Sequence, residues 1–148
     1  MNKAEAPTED EPPRRVRLTL EELNEEFLSV LRAGLPVRPD TAGEFLPYFP
    51  IVLAYAKATD HLARVIALDD VVTSILKAWP HNGEGDALRI LFALNPAHRS
   101  WNLSRRQAEA AQALGCSADH LRKNRQADLL GAFAYEFLRR NEKHKIAP

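Results

Sequence analysis

Apolar residues recur along most of the chain at the spacing of an α-helix, and no segment shows the strict alternation of a half-buried strand. The first helix is predicted to begin at Thr19, because Thr19 and Glu22 form a capping-box pattern. Gly34 and Pro36 are predicted to end it. Its apolar stripe is expected to lie in the core, with a dimer seam as the alternative. The stripe consists of Leu20, Leu23, Phe27, Val30 and Leu31.

The middle of the chain is predicted to alternate irregular connectors with helices. Residues 35–50 carry four prolines and read as a connector, and Pro50 is expected to open the next helix. Asp69 falls on the apolar stripe that follows, either as the cap of a restarted helix or at the edge of the buried face. A further helix is expected between a cap at Asp86 and a break at Asn95-Pro96. The stripe after Pro50 consists of Ile51, Val52, Leu53, Tyr55, Leu62, Val65, Ile66, Val72, Ile75, Leu76 and Trp79.

The segment from Gln107 to Gln126 has the spacing of a helix-turn-helix. Ala111 is the small residue needed where two helices touch, and Gly115 stands where the first of them must stop and turn. Ser117 is the expected cap of the second helix, and Ser104 the favoured cap of the first. The apolar plug of the turn is expected to be Leu114, Cys116 and Leu121. This element most often presents its second helix to the DNA major groove.

A last apolar stripe follows the helix-turn-helix segment, formed by Leu129, Leu130, Phe133, Phe137 and Leu138. The expected fold is therefore all-α, a single helical bundle of about six or seven helices with a helix-turn-helix-like trihelical unit near its C-terminus. The predicted organisation is a flexible tail (1–17), a helical N-terminal part (18–98), the helix-turn-helix-like part (99–140) and a frayed basic tail (141–148).

Charge is unevenly distributed along a chain that is neutral overall. Residues 1–98 hold 10 basic and 15 acidic residues, whereas residues 99–148 hold 10 basic and 5 acidic residues. A polyanion would therefore meet the C-terminal third first, although a solvated face with a basic tail is an equal alternative. Arg14, Arg15 and Arg17 are expected to belong to a solvated tail.

Composition limits the remaining classes of protein. No apolar run approaches the roughly 20 residues of a membrane helix, and the first 15 residues lack a signal-peptide core. The single cysteine rules out an internal disulfide and favours a cytoplasmic location. The five histidines lack metal-site spacing, and Gly-rich phosphate loops and nucleophile elbows are missing. We therefore expect no catalytic residue, no metal and no cofactor.

A DNA-binding role would divide the residues of the motif between bases and phosphates. Those early in the second helix would face base edges, and Arg122 would be suited to guanine. Asp119 disfavours this reading unless it contacts cytosine or pairs with Arg122, and Asn124 stands where the motif usually has an apolar contact. The residues expected near bases are Ala118, Asp119, His120, Arg122 and Lys123. Those expected on phosphates are Arg105, Arg106, Ser117 and Arg125.

The second half of the chain resembles a helical module found in many actinobacterial proteins. The matching positions are Ala87-Leu88-Arg89, Leu91-Phe92, Leu94, Arg105-Arg106, Ala110-Ala111, Leu114-Gly115, Ser117, Leu121 and Arg122-Lys123, with Leu62-Ala63-Arg64 and Ala67-Leu68 before them. That module often stands beside other domains, so the resemblance implies an adaptor as readily as a DNA reader.

Two functions follow as expectations. The leading one is a small DNA-binding regulator that contacts double-stranded DNA through the helix-turn-helix, as a homodimer. The alternative is a protein-interaction or adaptor module, in which the trihelical unit is scaffold and a groove between N-terminal and C-terminal helices receives a partner helix.

Overall fold

The computed structural model describes residues 18–145, and all regular structure within them is helical. The α-helices are α1 (Leu20–Ala33), α2 (Pro50–Tyr55), α3 (His61–Ala78), α4 (Gly83–Leu91), α5 (Leu103–Leu114), α6 (Ala118–His120) and α7 (Gln126–Lys145). Single 3-10 turns lie at Leu46–Tyr48 and Pro96–His98, and a π-helical turn at Leu121–Arg125 joins α6 to α7. The all-α prediction is confirmed. The Arg14, Arg15 and Arg17 cluster lies outside the described residues.

Side-chain caps fix where the helices begin. The predicted capping box is present: the Glu22 amide donates to Thr19 Oγ1 (3.0 Å), and the Thr19 amide donates to Glu22 Oε1 (2.9 Å). Two other predicted caps are wrong. Asn82 caps α4 in place of Asp86, and Asn102 caps α5 in place of Ser104. In both cases an asparagine just upstream accepts the third amide of the helix, so the helix begins earlier than expected.

Aromatic rings hold α1, α4 and α7 around one core. Phe27 of α1 packs edge-on against Phe133 (5.1 Å between centroids) and Phe137 (5.0 Å) of α7. Phe92, just after α4, meets Phe133 at 4.8 Å, and Phe49 meets Phe137 at 5.1 Å. Such pairs add about 0.5–1.5 kcal/mol each beyond the apolar area that they bury. The first and last predicted apolar stripes therefore face each other.

The predicted stripe through α2 and α3 is only partly buried. Val65, Val72 and Ile75 lie in the core. Exposed instead are Leu53, Tyr55, Leu62 and Ile66, together with Leu20 of α1. The predicted stripe requires one continuous helix. Instead, Asp60 caps a separate helix by accepting the Ala63 amide (2.8 Å), so a different set of positions faces the core after residue 60. Asp69 does not restart a helix; it lies within α3 and accepts the Val37 amide (2.9 Å).

Two polar side chains, the half-buried Glu26 and the buried Asn141, attach distant segments to α1 and α7. The Glu26 carboxylate accepts the amides of Glu44, Phe45 and Leu46 at 2.9–3.1 Å. Burial raises the pKa of Glu26, and these three amides oppose the rise. Asn141 is buried and accepts the Ile51 amide (3.0 Å), which pins the end of α7 to α2. Residues 141–145 therefore continue α7 and are not a frayed tail, and residues 146–148 lie outside the described part.

An acid-dependent loss of stability is expected from one carboxylate on α7. Glu136 accepts from Arg139 (2.7 Å) and Arg140 (2.9 Å), and these arginines lower its pKa to about 2. Since the folded pKa lies below the unfolded one, the contribution is present above the unfolded pKa and lost as pH falls towards about 2. Chemical denaturation between about pH 5 and 2 should show this loss in the native chain. Glu136→Gln should flatten that part of the profile, and an unchanged slope would contradict the assignment.

Candidate binding site at the helix-turn-helix-like unit

The turn between α5 and α6 has the local geometry expected of a helix-turn-helix. Gly115 ends α5 in the left-handed conformation (φ 72°), and the Cys116 amide donates to the Ala111 carbonyl (3.0 Å). Ser117 Oγ accepts the His120 amide (3.1 Å) as the cap of α6. Ala111 and Leu121 are both buried, and the other two predicted plug residues, Leu114 and Cys116, are half-buried against the core.

The second helix of the unit does not stop after the turn. α6 passes through the π-helical turn directly into α7, so the chain is helical from Ala118 to Lys145. Within that turn the Gln126 amide donates to the Leu121 carbonyl, five residues back. In this wider turn Gln126 Oε1 accepts a hydrogen bond from Gln107 Nε2 (2.8 Å). Asn124 is left exposed. Asn124 is therefore not part of the buried plug, and its side-chain amide pairs with His120 Nδ1 at 2.9 Å.

Arg106 is not available to a phosphate, which corrects its predicted role. Its side chain is 2% exposed and donates to the carbonyls of Leu31 (2.8 Å), Arg32 (2.8 Å) and Leu91. Burial lowers the pKa of its guanidinium. These carbonyls belong to the last turns of α1 and α4, which lack intrahelical partners. Arg106 therefore joins the C-terminal ends of two helices to α5.

The second helix of the unit, Ala118 to Arg125, is called the reading helix below, and its cations are paired with carboxylates. Lys123 Nζ lies 3.2 Å from Asp119, and the Arg122 guanidinium lies 3.8 Å from the same carboxylate. Arg125 lies 3.6 Å from Glu84 of α4. The three side chains Asp119, Arg122 and Lys123 therefore carry one net positive charge. Exposed pairs of this kind contribute about 0–1 kcal/mol each, but they reduce the field that a phosphate would meet.

Some of the remaining predicted contact residues are exposed to solvent, and others make contacts within the fold. Arg105 is exposed and stacks over the Trp101 ring, with the guanidinium carbon 3.9 Å from the ring centroid. His120 is exposed beside Asn124, whereas Ala118 is half-buried and packs against the core. The Ser117 hydroxyl is used by the cap. Arg105, His120, Arg122 and Lys123 are thus the predicted basic contact residues that are exposed to solvent, and Arg125 is partly exposed.

A groove lies beside the reading helix, between α1 and the start of α7. The sequence predicts a groove between N-terminal and C-terminal helices but does not identify its residues. Its volume is about 240 Å³. The wall from α1 consists of Glu21, Asn24, Glu25 and Leu28, and the opposite wall of Arg122, Gln126, Ala127 and Leu130. Each set recurs at helical spacing, so each is one face of its helix. We refer to these eight residues as the α1–α7 groove.

Polarity changes along the α1–α7 groove. On each wall the charged residues precede the leucine along the helix: Glu21 and Glu25 come before Leu28, and Arg122 comes before Leu130. Asn24 contributes Oδ1, a buried oxygen that accepts no hydrogen bond from the described residues. A buried acceptor without a partner costs about 1–3 kcal/mol, so a donor entering the groove would be favoured there.

Comparison with known proteins finds no matching family model, no curated relative and no similar solved structure. Within residues 18–145, no three or more His, Cys, Asp or Glu side chains are grouped to hold a metal ion. No helix of that range combines the length and apolar character needed to cross a bilayer.

Proposed function

We propose that this protein is a non-catalytic protein-interaction module whose α1–α7 groove receives an amphipathic helix of a partner protein. The observation that carries the proposal is the groove itself, with apolar residues at one end, carboxylates at the other and an unpartnered Asn24 oxygen in its wall. Helix-in-groove recognition uses apolar anchors at i, i+3 and i+4, which suits a cleft between two helices.

The chemistry of the groove specifies the partner. Glu21 and Glu25 outnumber Arg122, so the charged end has a net charge of one negative unit. A partner helix with one or two Leu or Ile anchors facing Leu28 and Leu130, and a Lys or Arg one or two turns away facing the carboxylates, would match both ends. The acidic N-terminal half of the chain and the resemblance to a module that stands beside other domains also support this proposal.

The charge balance of the reading helix disfavours DNA as the main ligand. With Arg106 buried, the exposed cations near the turn are Arg105, Arg122, Lys123 and Arg125. Carboxylates pair with three of them, and Glu21 and Glu25 share the groove with Arg122. A duplex places about one negative charge every 1.7 Å along its axis, so the acidic side chains beside the reading helix would be repelled.

Duplex DNA binding by a small regulator is the second candidate, and one observation favours it. Residues 119, 120, 122, 123 and 124 are all exposed, so the capped start of the reading helix protrudes. Arg105, which stacks on Trp101 near the start of α5 and is exposed, would supply a phosphate contact. On this reading binding weakens steeply with added salt, and Arg105→Ala weakens binding to all sequences alike.

Filling the groove should abolish partner binding without unfolding the protein. Ala127 is an exposed residue of the groove wall, so Ala127→Trp places a large side chain in the cleft and removes nothing from the core. Helices selected from a display library of amphipathic peptides should bind the native chain, and this variant should lose at least about tenfold in affinity. Ala132→Trp is the matched control, because Ala132 is an exposed alanine of the same helix outside the groove.

A DNA titration of the same protein variants distinguishes partner-helix binding from DNA binding. A duplex titration at about 50 mM salt should show no binding beyond weak, sequence-independent association. Tight duplex binding that Arg105→Ala removes and Ala127→Trp leaves intact would replace the proposal with the DNA-binding function. Equal peptide affinity in the two tryptophan variants would also overturn it. If the library yields segments of this chain and light scattering reports a dimer, the occupant is a second copy and the separate-partner proposal is wrong.

A further inference from the structure

A second cavity lies on another part of the molecule, lined by residues of α4, of α5 and of the segment between them that holds the Pro96–His98 turn. Its volume is about 570 Å³, within the range of roughly 300–1,000 Å³ common for small-molecule sites. Its apolar wall consists of Ile90, Leu94 and Ala113. The cavity does not include any residue of the α1–α7 groove, so it is independent of the proposed function.

The charges around this cavity are not balanced. Arg89 is held by the carbonyls of Leu76 (2.9 Å), Trp79 (3.0 Å) and Pro80 (3.2 Å), and it also pairs with Asp86 at 3.1 Å. Glu109, on the α5 side, forms no ion pair or hydrogen bond with the described residues. The cavity therefore presents one uncompensated carboxylate beside an apolar wall.

Further polar side chains line the same cavity. Gln112 contributes a side-chain amide, three residues along the same face of α5. His98 lines the covering turn, and its buried Nδ1 has no hydrogen-bond partner among the described residues. The His98 ring stacks on Trp101 at 4.5 Å between centroids, which fixes its orientation. A donor-rich cation would satisfy the carboxylate and these acceptors together.

We propose that the cavity between α4 and α5 binds a guanidinium group carried on a short aliphatic arm. A guanidinium has five donors in a planar fork, so it can engage both oxygens of Glu109 and leave donors for Gln112 and His98. An ammonium, with three donors on one atom, would satisfy fewer of them. Ile90, Leu94 and Ala113 would contact the arm. The same group can come from a free metabolite or from an arginine side chain of a peptide.

The test uses butylguanidinium and its neutral isostere butylurea, followed by NMR of the full chain. Butylguanidinium is expected to shift the amide signals of residues 94–98 and 109–113 in a saturable manner, and butylurea is expected to leave them unchanged. Glu109→Gln should weaken binding at least about tenfold, because a neutral amide cannot form the charge-assisted bidentate contact. Acetylated Gly-Arg-Gly amide, tested in parallel, distinguishes the sources: binding of the peptide assigns the site to arginine side chains, and its exclusion assigns it to a free ligand.

The control variant is Asp70→Asn, which removes an exposed carboxylate of α3 outside the cavity. It should bind butylguanidinium as the native chain does. Equal binding of butylurea, unchanged affinity in Glu109→Gln, or an equal loss in Asp70→Asn would each overturn the proposal. Because Glu109 forms no contact that the fold uses, the spectrum of Glu109→Gln should otherwise match that of the native chain.

Discussion

Replacement of Arg106 by leucine should lower the free energy of unfolding by about 3–5 kcal/mol, as expected when a buried hydrogen-bond network is broken. The guanidinium satisfies carbonyls of Leu31, Arg32 and Leu91 that have no other helix partner at the ends of α1 and α4. Leucine fills part of the space but donates no hydrogen bond, so these carbonyls remain buried without one. Urea denaturation followed by circular dichroism measures the loss.

The neighbouring arginine supplies the control for this experiment. Arg105 is exposed and contacts the Trp101 ring, so Arg105→Leu should cost no more than about 1 kcal/mol, the usual strength of an exposed cation–π contact. Arg106→Lys should recover only part of the stability, because a single ammonium cannot reach all three carbonyls as the planar fork does. Similar losses in the Arg105 and Arg106 variants would show that Arg106 does not join the two helix ends.

Replacement of Gly85 by alanine should destabilise the protein by about 3 kcal/mol or more, because an added methyl group would overpack the junction of α3 and α4. A Cβ at Gly85 would lie 2.0 Å from the Pro80 carbonyl oxygen, which is backbone and cannot move aside alone. The same oxygen accepts from Arg89 and from the Asn82 amide, so displacing it would also disturb the start of α4. Thermal unfolding should show a clear fall in Tm.

The same substitution at Gly131 should have the opposite effect on stability. It lies inside α7, and a Cβ there would meet nothing within 4 Å. Gly131→Ala should therefore stabilise the protein by about 0.5–1 kcal/mol, since alanine is the better helix former. If Gly85→Ala were also neutral or stabilising, the close approach of Pro80 to α4 would not be a constraint on the fold.

The sequence predicts those features that depend on neighbouring residues. Thr19 with Glu22, Gly115, and Ser117 each carry a local signal, and the structure confirms each one. The caps of α4 and α5 were missed because Asn82 and Asn102 stand just before the residues that appeared to be better caps. Local spacing cannot decide between two acceptable caps when both lie within a few residues.

The candidate site depends on contacts that span the chain, and here sequence reasoning was less successful. The motif predicts Arg106 at the surface, but Leu103, Ala110 and Leu114 place it near the inward face of α5 at helical spacing. That signal was available in the pattern. The α1–α7 groove was not: its walls are separated by about 100 residues, and no local pattern shows that Glu25 and Arg122 share one cleft.

The continuous helix from Ala118 to Lys145 has a consequence for any macromolecule that docks near the turn. In a helix-turn-helix whose second helix is short, that helix can tilt about its own ends to fit a ligand. Here its far half is anchored by Phe133, Phe137 and Asn141, so the tip bearing Asp119 has no independent hinge. A docking macromolecule would therefore meet a preset surface, and the orientation of that surface would change only if the packing of α7 changed with it.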